Sequence, residues 1–139
     1  MKTIAFTGGH HNSALEVAKS LKNKGYNILW LGHMRSMRGD RSLSFEYHEV
    51  QRAEINFVEL KAGKFYQPSH FSEWFKIPIG VWQAWKILKE KKVKLIVSFG
   101  GYLSSPVVIA GYLLGIPSVC HEQTVRAGLA NRLNAHFAR

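Results

Sequence analysis

Two glycine pairs stand directly behind short apolar runs, and a helical pattern follows each. Thr7-Gly8-Gly9-His10 follows Ile4-Ala5-Phe6. Ser98-Phe99-Gly100-Gly101-Tyr102-Leu103-Ser104-Ser105-Pro106 follows the run at 93–97. A strand, a glycine turn and a helix start bring free N–H groups and the positive end of a helix dipole to one point. Glycine carries no Cβ, so the backbone there can approach a bound group closely. Two such loops in one chain predict a site for an anionic, phosphorylated ligand. His10 adds a side chain whose near-neutral pKa suits proton removal from a hydroxyl, and His11 is a second candidate for that role. A third polar stretch, His121-Glu122-Gln123-Thr124, follows another apolar run. Its carboxylate and amide suit the binding of sugar hydroxyls or the orientation of His10. Plainer readings stand beside these: glycines that only relieve a tight turn, a locally packed histidine, and a polar network tying the last strand to its neighbours.

The spacing also excludes chemistries. Neither loop reads G-x-G-x-x-G, and no Gly-Lys-Ser/Thr follows either, so NAD and ATP are disfavoured. No His-x-x-x-His or comparable ligand spacing occurs, so neither a metal nor a cofactor is expected. The single cysteine, Cys120, rules out an internal disulfide and fits a reducing compartment. It lies in an apolar run and reads as a buried, inert thiol.

The elements that must position these loops alternate. Ala14, Leu15, Val17, Ala18 and Leu21 recur at helical spacing. Ser13 and Glu16 read as a capping box that opens this helix, and Gly25 ends it. Strands are predicted at 26–31, 55–60, 94–98 and 117–120, with a short helix at 45–53. One or two helices should occupy 71–92, with Pro78 near a start or kink, and others 106–114, ended by Gly115, and 127–137. With no hairpin signal, the expected fold is α/β: a Rossmann-like, doubly wound parallel sheet. Ligands of such sheets bind beyond the carboxyl ends of the strands, so both glycine loops and residues 121–124 should share one edge.

At 139 residues and 46% apolar content the chain reads as a single globular domain, 1–139. Its start does not resemble a signal peptide, and no apolar run reaches the ~18–20 residues needed to cross a bilayer. A formal net charge of +10 predicts an anionic partner. Residues 61–94 hold eight lysines against two glutamates, interleaved with Phe65, Tyr66, Phe71, Trp74, Phe75, Trp82 and Trp85. That mixture suits a peripheral contact with an anionic membrane, with Phe71, Trp74, Phe75, Lys76 and Trp82 facing the lipid. The rival is core aromatics beside solvated lysines, and Trp82 and Trp85, three apart, read as partly core. Nucleic acid is not expected: no aromatics fall on strands as RNA modules need, and no helix-turn-helix is apparent.

Thr7-Gly8-Gly9-His10, Phe99-Gly100-Gly101-Tyr102, Leu113-Leu114-Gly115-Ile116-Pro117, His121-Glu122-Gln123 and Gly128-Leu129-Ala130-Asn131-Arg132-Leu133 resemble, in order and spacing, the MurG-type N-acetylglucosaminyltransferases. The resemblance covers nearly the whole chain and is looser between 33 and 80. It implies the N-terminal half of a GT-B glycosyltransferase, the half that holds a polyprenyl-diphosphate-linked muramoyl acceptor. UDP-GlcNAc would be the donor, and the enzyme would sit peripherally at the cytoplasmic face of the plasma membrane. It further implies that Thr7, Gly8 and Gly9 touch the donor and that His10 is the base. Gly100, Gly101, Tyr102 and Ser104 would lie near the acceptor diphosphate, with Glu122, Gln123 and Thr124 binding substrate. Ala5 and Phe6 replace family glycines, and Thr124 stands where the family carries Asn. The family continues beyond the position of Arg139 into a donor-binding domain. The chain is therefore expected to be a fragment, a truncated product or one half of a split enzyme with a C-terminal-domain partner chain. The other reading is a non-catalytic module that binds lipid diphosphates or membranes.

Overall fold

Thr3–Thr7 (β1) is buried at all five positions, and Asn27–Gly32 (β2) at every position but its first. Such unbroken apolar runs are what parallel strands covered on both faces require. Asn56–Glu59 (β3), Val93–Ser98 (β4) and Ser118–Cys120 (β5) complete the sheet. The structure, a computed structural model, describes residues 1–8, 11–35, 43–60 and 76–138. All pairings are parallel, in the order β3-β2-β1-β4-β5.

The helices are His11–Asn23 (α1), Phe45–Arg52 (α2), Lys76–Glu90 (α3), Ser104–Leu113 (α4) and Leu129–Asn134 (α5). Ala14, Leu15 and Ala18 of α1 and Val50 of α2 pack with Ile4, Phe6, Ile28 and Trp30 on one sheet face. Ala84 and Leu88 of α3 and Val107, Val108 and Ala110 of α4 pack with Ala5, Leu29, Leu31 and Ile96 on the other. The doubly wound α/β fold expected from the sequence is therefore present.

Four local expectations change. Ser13 lies within α1 rather than capping it, because the helix begins at His11 and the Ser13 hydroxyl accepts a hydrogen bond from the Gln123 amide. Helix α4 starts two residues before Pro106, whose missing N–H is tolerated in a first turn. Trp85 packs against the core, but Trp82 is 63% exposed and is not core. Cys120 is half-buried, and burial pushes its thiol pKa up, which keeps it protonated. The two expected helix ends hold: Tyr26 N–H donates to the Leu21 carbonyl at 3.2 Å after Gly25, and Ile116 N–H to that of Gly111 at 2.8 Å after Gly115.

Candidate active-site cleft

The strand order reverses at β1, so the chain leaves β1 toward one side and β4 toward the other. That divergence opens a crevice beyond the strand ends. The two glycine loops meet there. The Phe99 N–H donates to the Thr7 carbonyl at 2.8 Å, so the loops are tied together where they leave the sheet. Gly8 has a φ of +152°, and a Cβ on it would come within 2.8 Å of the Phe99 backbone nitrogen. Gly100 has a φ of +79°, and a Cβ there would come within 3.0 Å of the Asn131 amide nitrogen. The missing Cβ at these two positions thus lets one loop pass another, a role the sequence reading gave to close approach of a ligand.

The third loop is organised by one carboxylate. Glu122 Oε1 accepts from the Thr124 N–H at 3.1 Å and lies 2.9 Å from its hydroxyl. Glu122 Oε2 accepts from Asn131 Nδ2 at 2.9 Å and from the Gly128 N–H at 3.1 Å. The Asn131 amide, then these backbone and hydroxyl donors, favour the ionised form and hold the carboxyl at about 2. Glu122 therefore stays a carboxylate and shapes the loop at 121–131, with both oxygens already engaged. Gln123 reaches across to Ser13 of α1, bridging two walls of the crevice.

Phe99, Gly100, Gly101, Glu122, Thr124, Gly128, Ala130 and Asn131 line a cleft of about 230 Å³. That is smaller than the usual volume of a whole-ligand pocket, about 300–1,000 Å³, and fits one part of a larger ligand. Asn131 gives its amide hydrogens to Glu122 and to the His121 carbonyl, while its buried Oδ1 has no partner among the described residues. A buried acceptor in that condition calls for a donor, such as a hydroxyl or water. The Thr7 hydroxyl, buried at the end of β1, is likewise without a partner. Sequence reasoning gave Asn131 no separate role; its spacing of three from Asn134 in one short helix was the available signal. Asn134 Nδ2 donates to the Ser104 hydroxyl at 2.8 Å, and Ser104 Oγ donates to the Gly101 carbonyl at 2.7 Å. Ser104 is thus buried behind the glycine loop and supports it.

Tyr102 lies on another side of the loop, its ring 5.6 Å from that of His33. Burial, and then the charge of Glu46, push its pKa up. Glu46, absent from the sequence-based candidates, opens α2 and accepts from the buried Trp30 indole at 2.7 Å; burial raises its pKa. Gly9, His10, Phe71, Trp74 and Phe75 lie outside the described residues, and Lys76 opens α3. The structure therefore brings Thr7, Gly8, Gly100, Gly101, Glu122 and Thr124 to one edge. No group of three His, Cys, Asp or Glu among the described residues is arranged for a metal.

Fold and cleft define a doubly wound α/β domain with a small crevice at its strand ends. Residues 6–139 match the glycosyltransferase family 28 N-terminal domain, and the chain belongs to that family. It is 35% identical over 140 residues to a UDP-N-acetylglucosamine--N-acetylmuramyl-(pentapeptide) pyrophosphoryl-undecaprenol N-acetylglucosamine transferase of Clostridium botulinum (strain Loch Maree / Type A3). That match covers 96% of this chain and 37% of the relative. The transferase of the same name from Staphylococcus aureus (strain MRSA252) is 34% identical, over 100% of this chain and 39% of its own length. The crystal structure of MurG from Acinetobacter baumannii superposes with a TM-score of 0.84 at 27% identity, covering 100% of this chain and 40% of MurG. A UDP-GlcNAc 2-epimerase from Neisseria meningitidis, at a TM-score of 0.62 and 15% identity, shares the fold alone. The chain thus spans about two fifths of the relatives it matches.

Proposed function

We propose that this domain is the acceptor half of a hexosyltransferase that moves GlcNAc from UDP-GlcNAc onto a polyprenyl-diphosphate-linked muramoyl peptide in peptidoglycan synthesis. The observation that carries the reading is the cleft between the Gly100-Gly101 loop and the 121–131 loop, which Asn131 lines while its amide ties Glu122 to the His121 carbonyl. The turn before α4, whose N-terminus no side chain caps, faces the diphosphate with its dipole. Thr7 and Gly8 are assigned to the donor side, with Gly9 next to them in the chain, and Gln123 and Thr124 to the substrate wall.

His10, two residues beyond Gly8 in the chain, takes the proton of the acceptor hydroxyl. The resulting alkoxide attacks the anomeric carbon of GlcNAc, the bond to the UDP oxygen breaks, and UDP leaves with the electron pair. The anomeric centre inverts. Donor binding belongs to a further domain or partner chain, and this domain alone does not transfer. Ile79 and Trp82, exposed on α3, meet an anionic membrane at its cytoplasmic face while Lys86 and Lys89 lie over the indoles of Trp82 and Trp85 at 5.9 and 4.7 Å. Among the described residues no helix is long and apolar enough to cross a membrane.

The test is calorimetric titration of the full chain with a short-prenyl diphospho-muramoyl peptide. The reading predicts binding that weakens about tenfold or more in Asn131→Ala, while UDP alone gives no comparable heat. Absence of binding to the acceptor, or binding that Asn131→Ala leaves unchanged, would overturn it.

A further inference from the structure

Glu46 is a half-buried carboxylate that the proposed chemistry does not use, and it lies outside the cleft. The start of α2 fixes its place. The Ser44 N–H donates to the Met34 carbonyl at 2.7 Å. The Ser44 hydroxyl donates to the His33 carbonyl at 3.0 Å and accepts from the Tyr47 N–H at 3.1 Å. Val50, one turn further along α2, packs in the core. A Cβ on Gly32 would come within 3.0 Å of Glu46 Oε1, so the missing side chain there leaves room for the carboxylate against β2.

Two lines of contact run from this carboxylate to the Gly100-Gly101 loop. The first runs through the core. Glu46 Oε1 accepts from the Trp30 indole at 2.7 Å. The Trp30 ring stacks on Phe6 with centroids 6.0 Å apart, and Phe6 stacks on Phe99 at 6.4 Å. All three rings are buried, and Phe99 immediately precedes Gly100. The second line runs along the strand ends. His33 follows Gly32, and its ring lies 5.6 Å from that of Tyr102, which immediately follows Gly101. The charge of Glu46 reaches Tyr102 and adds to burial in pushing its phenol pKa up. The glycine pair is therefore flanked by two aromatic residues, and each leads back to Glu46. Close-packed rings transmit a displacement rather than absorb it.

We infer that Glu46 is a positioning residue for the Gly100-Gly101 wall of the cleft, acting through Trp30 on one side and Tyr102 on the other. It touches no ligand itself. A hydrogen bond to a carboxylate is stronger than one between neutral groups, so it fixes the indole firmly. Removing the carboxylate takes the acceptor from a buried N–H, which the Trp30 ring can relieve only by turning. Phe6 and Phe99 then move with it, and the loop that begins at Gly100 moves in turn. The consequence for binding rests on the proposed function, because the acceptor is what that wall holds there.

The experiment compares Glu46→Ala with Glu46→Gln, whose amide oxygen still accepts the indole N–H. Amide NMR spectra of the full chain are recorded first, without ligand. Glu46→Ala is expected to move the Trp30 indole resonance together with the Gly100, Gly101 and Tyr102 amides, and Glu46→Gln to leave the loop amides close to their original positions. His33→Ala cuts only the second line and should move the Gly101 and Tyr102 amides while the Trp30 indole stays in place. Titration with the short-prenyl diphospho-muramoyl peptide should then show binding about tenfold weaker in Glu46→Ala and within about twofold of the unaltered chain in Glu46→Gln. Loop amides that stay in place in Glu46→Ala while the indole moves overturn the inference. So does a Glu46→Gln chain altered as much as Glu46→Ala, or a Gly101 amide unmoved in His33→Ala. Failure of the unaltered chain to bind the peptide overturns the proposed function instead, and the spectra without ligand still decide the role of Glu46.

Discussion

At the scale of single residues, the site rests on groups that serve each other before they serve a ligand. Glu122 is an example: four donors surround its carboxylate, and its folded pKa of about 2 lies below the ordinary 4.5. A lowered carboxyl pKa contributes stability that is present above about 4.5 and lost as pH falls toward 2. Glu122→Gln is therefore expected to flatten the fall of Tm between those pH values, read by circular dichroism; an unchanged acid limb would contradict the network. Gly8→Ala forces a Cβ to within 2.8 Å of the Phe99 backbone at a positive φ, a clash with main chain that cannot swing aside. Strained backbone of this kind costs on the order of 1–3 kcal/mol, so a lower denaturation midpoint should accompany any loss of ligand binding. The sequence revealed the residue types here but not their duties. Gly8, Gly100 and Glu122 were legible as neighbours at one sheet edge because they follow strands. Their contacts depend on segments 91 residues apart (Gly8 and Phe99) and 31 apart (Gly100 and Asn131) meeting at one edge, which spacing does not encode.

At the scale of elements, the alternation of strands and helices was legible because β1 and β2 are near-continuous apolar runs, β3 alternates apolar with polar residues, and each helix keeps its own period. Glycine ends were legible for the same local reason. The start of α1 was not, because a Ser13-x-x-Glu16 pattern also arises inside a helix whose serine bonds elsewhere, here to Gln123. Nor was the facing of Trp82: three residues of helix turn about 300°, enough to place Trp85 on the core and Trp82 outside it. The exposed pair Ile79 and Trp82 makes α3 the element that tests the proposed membrane contact. Trp82→Ser is expected to lower the fraction of protein that sediments with anionic vesicles at least severalfold, with little change in Tm because the side chain is largely exposed. Sedimentation equal to that of the unaltered chain would remove α3 from the membrane contact.

At the scale of the molecule, the sheet order places both glycine loops at one switch point, and the family match extends over almost the entire chain. The relatives are more than twice as long, and in the proposed function the cleft is one wall of a larger site. The central claim is that this wall holds the acceptor for GlcNAc transfer. Its most direct measurement uses a chimera in which this chain replaces the matched N-terminal part of the Staphylococcus aureus transferase. GlcNAc transfer from UDP-GlcNAc to a polyprenyl-diphospho-muramoyl peptide is then followed in the presence of membranes. The account predicts transfer by the chimera, none by this chain alone, and a loss of about a hundredfold or more with His10→Ala, the range expected for removing a general base. A folded chimera that binds UDP-GlcNAc yet transfers nothing, beside an active parent enzyme, would contradict the account and leave a binding module in its place.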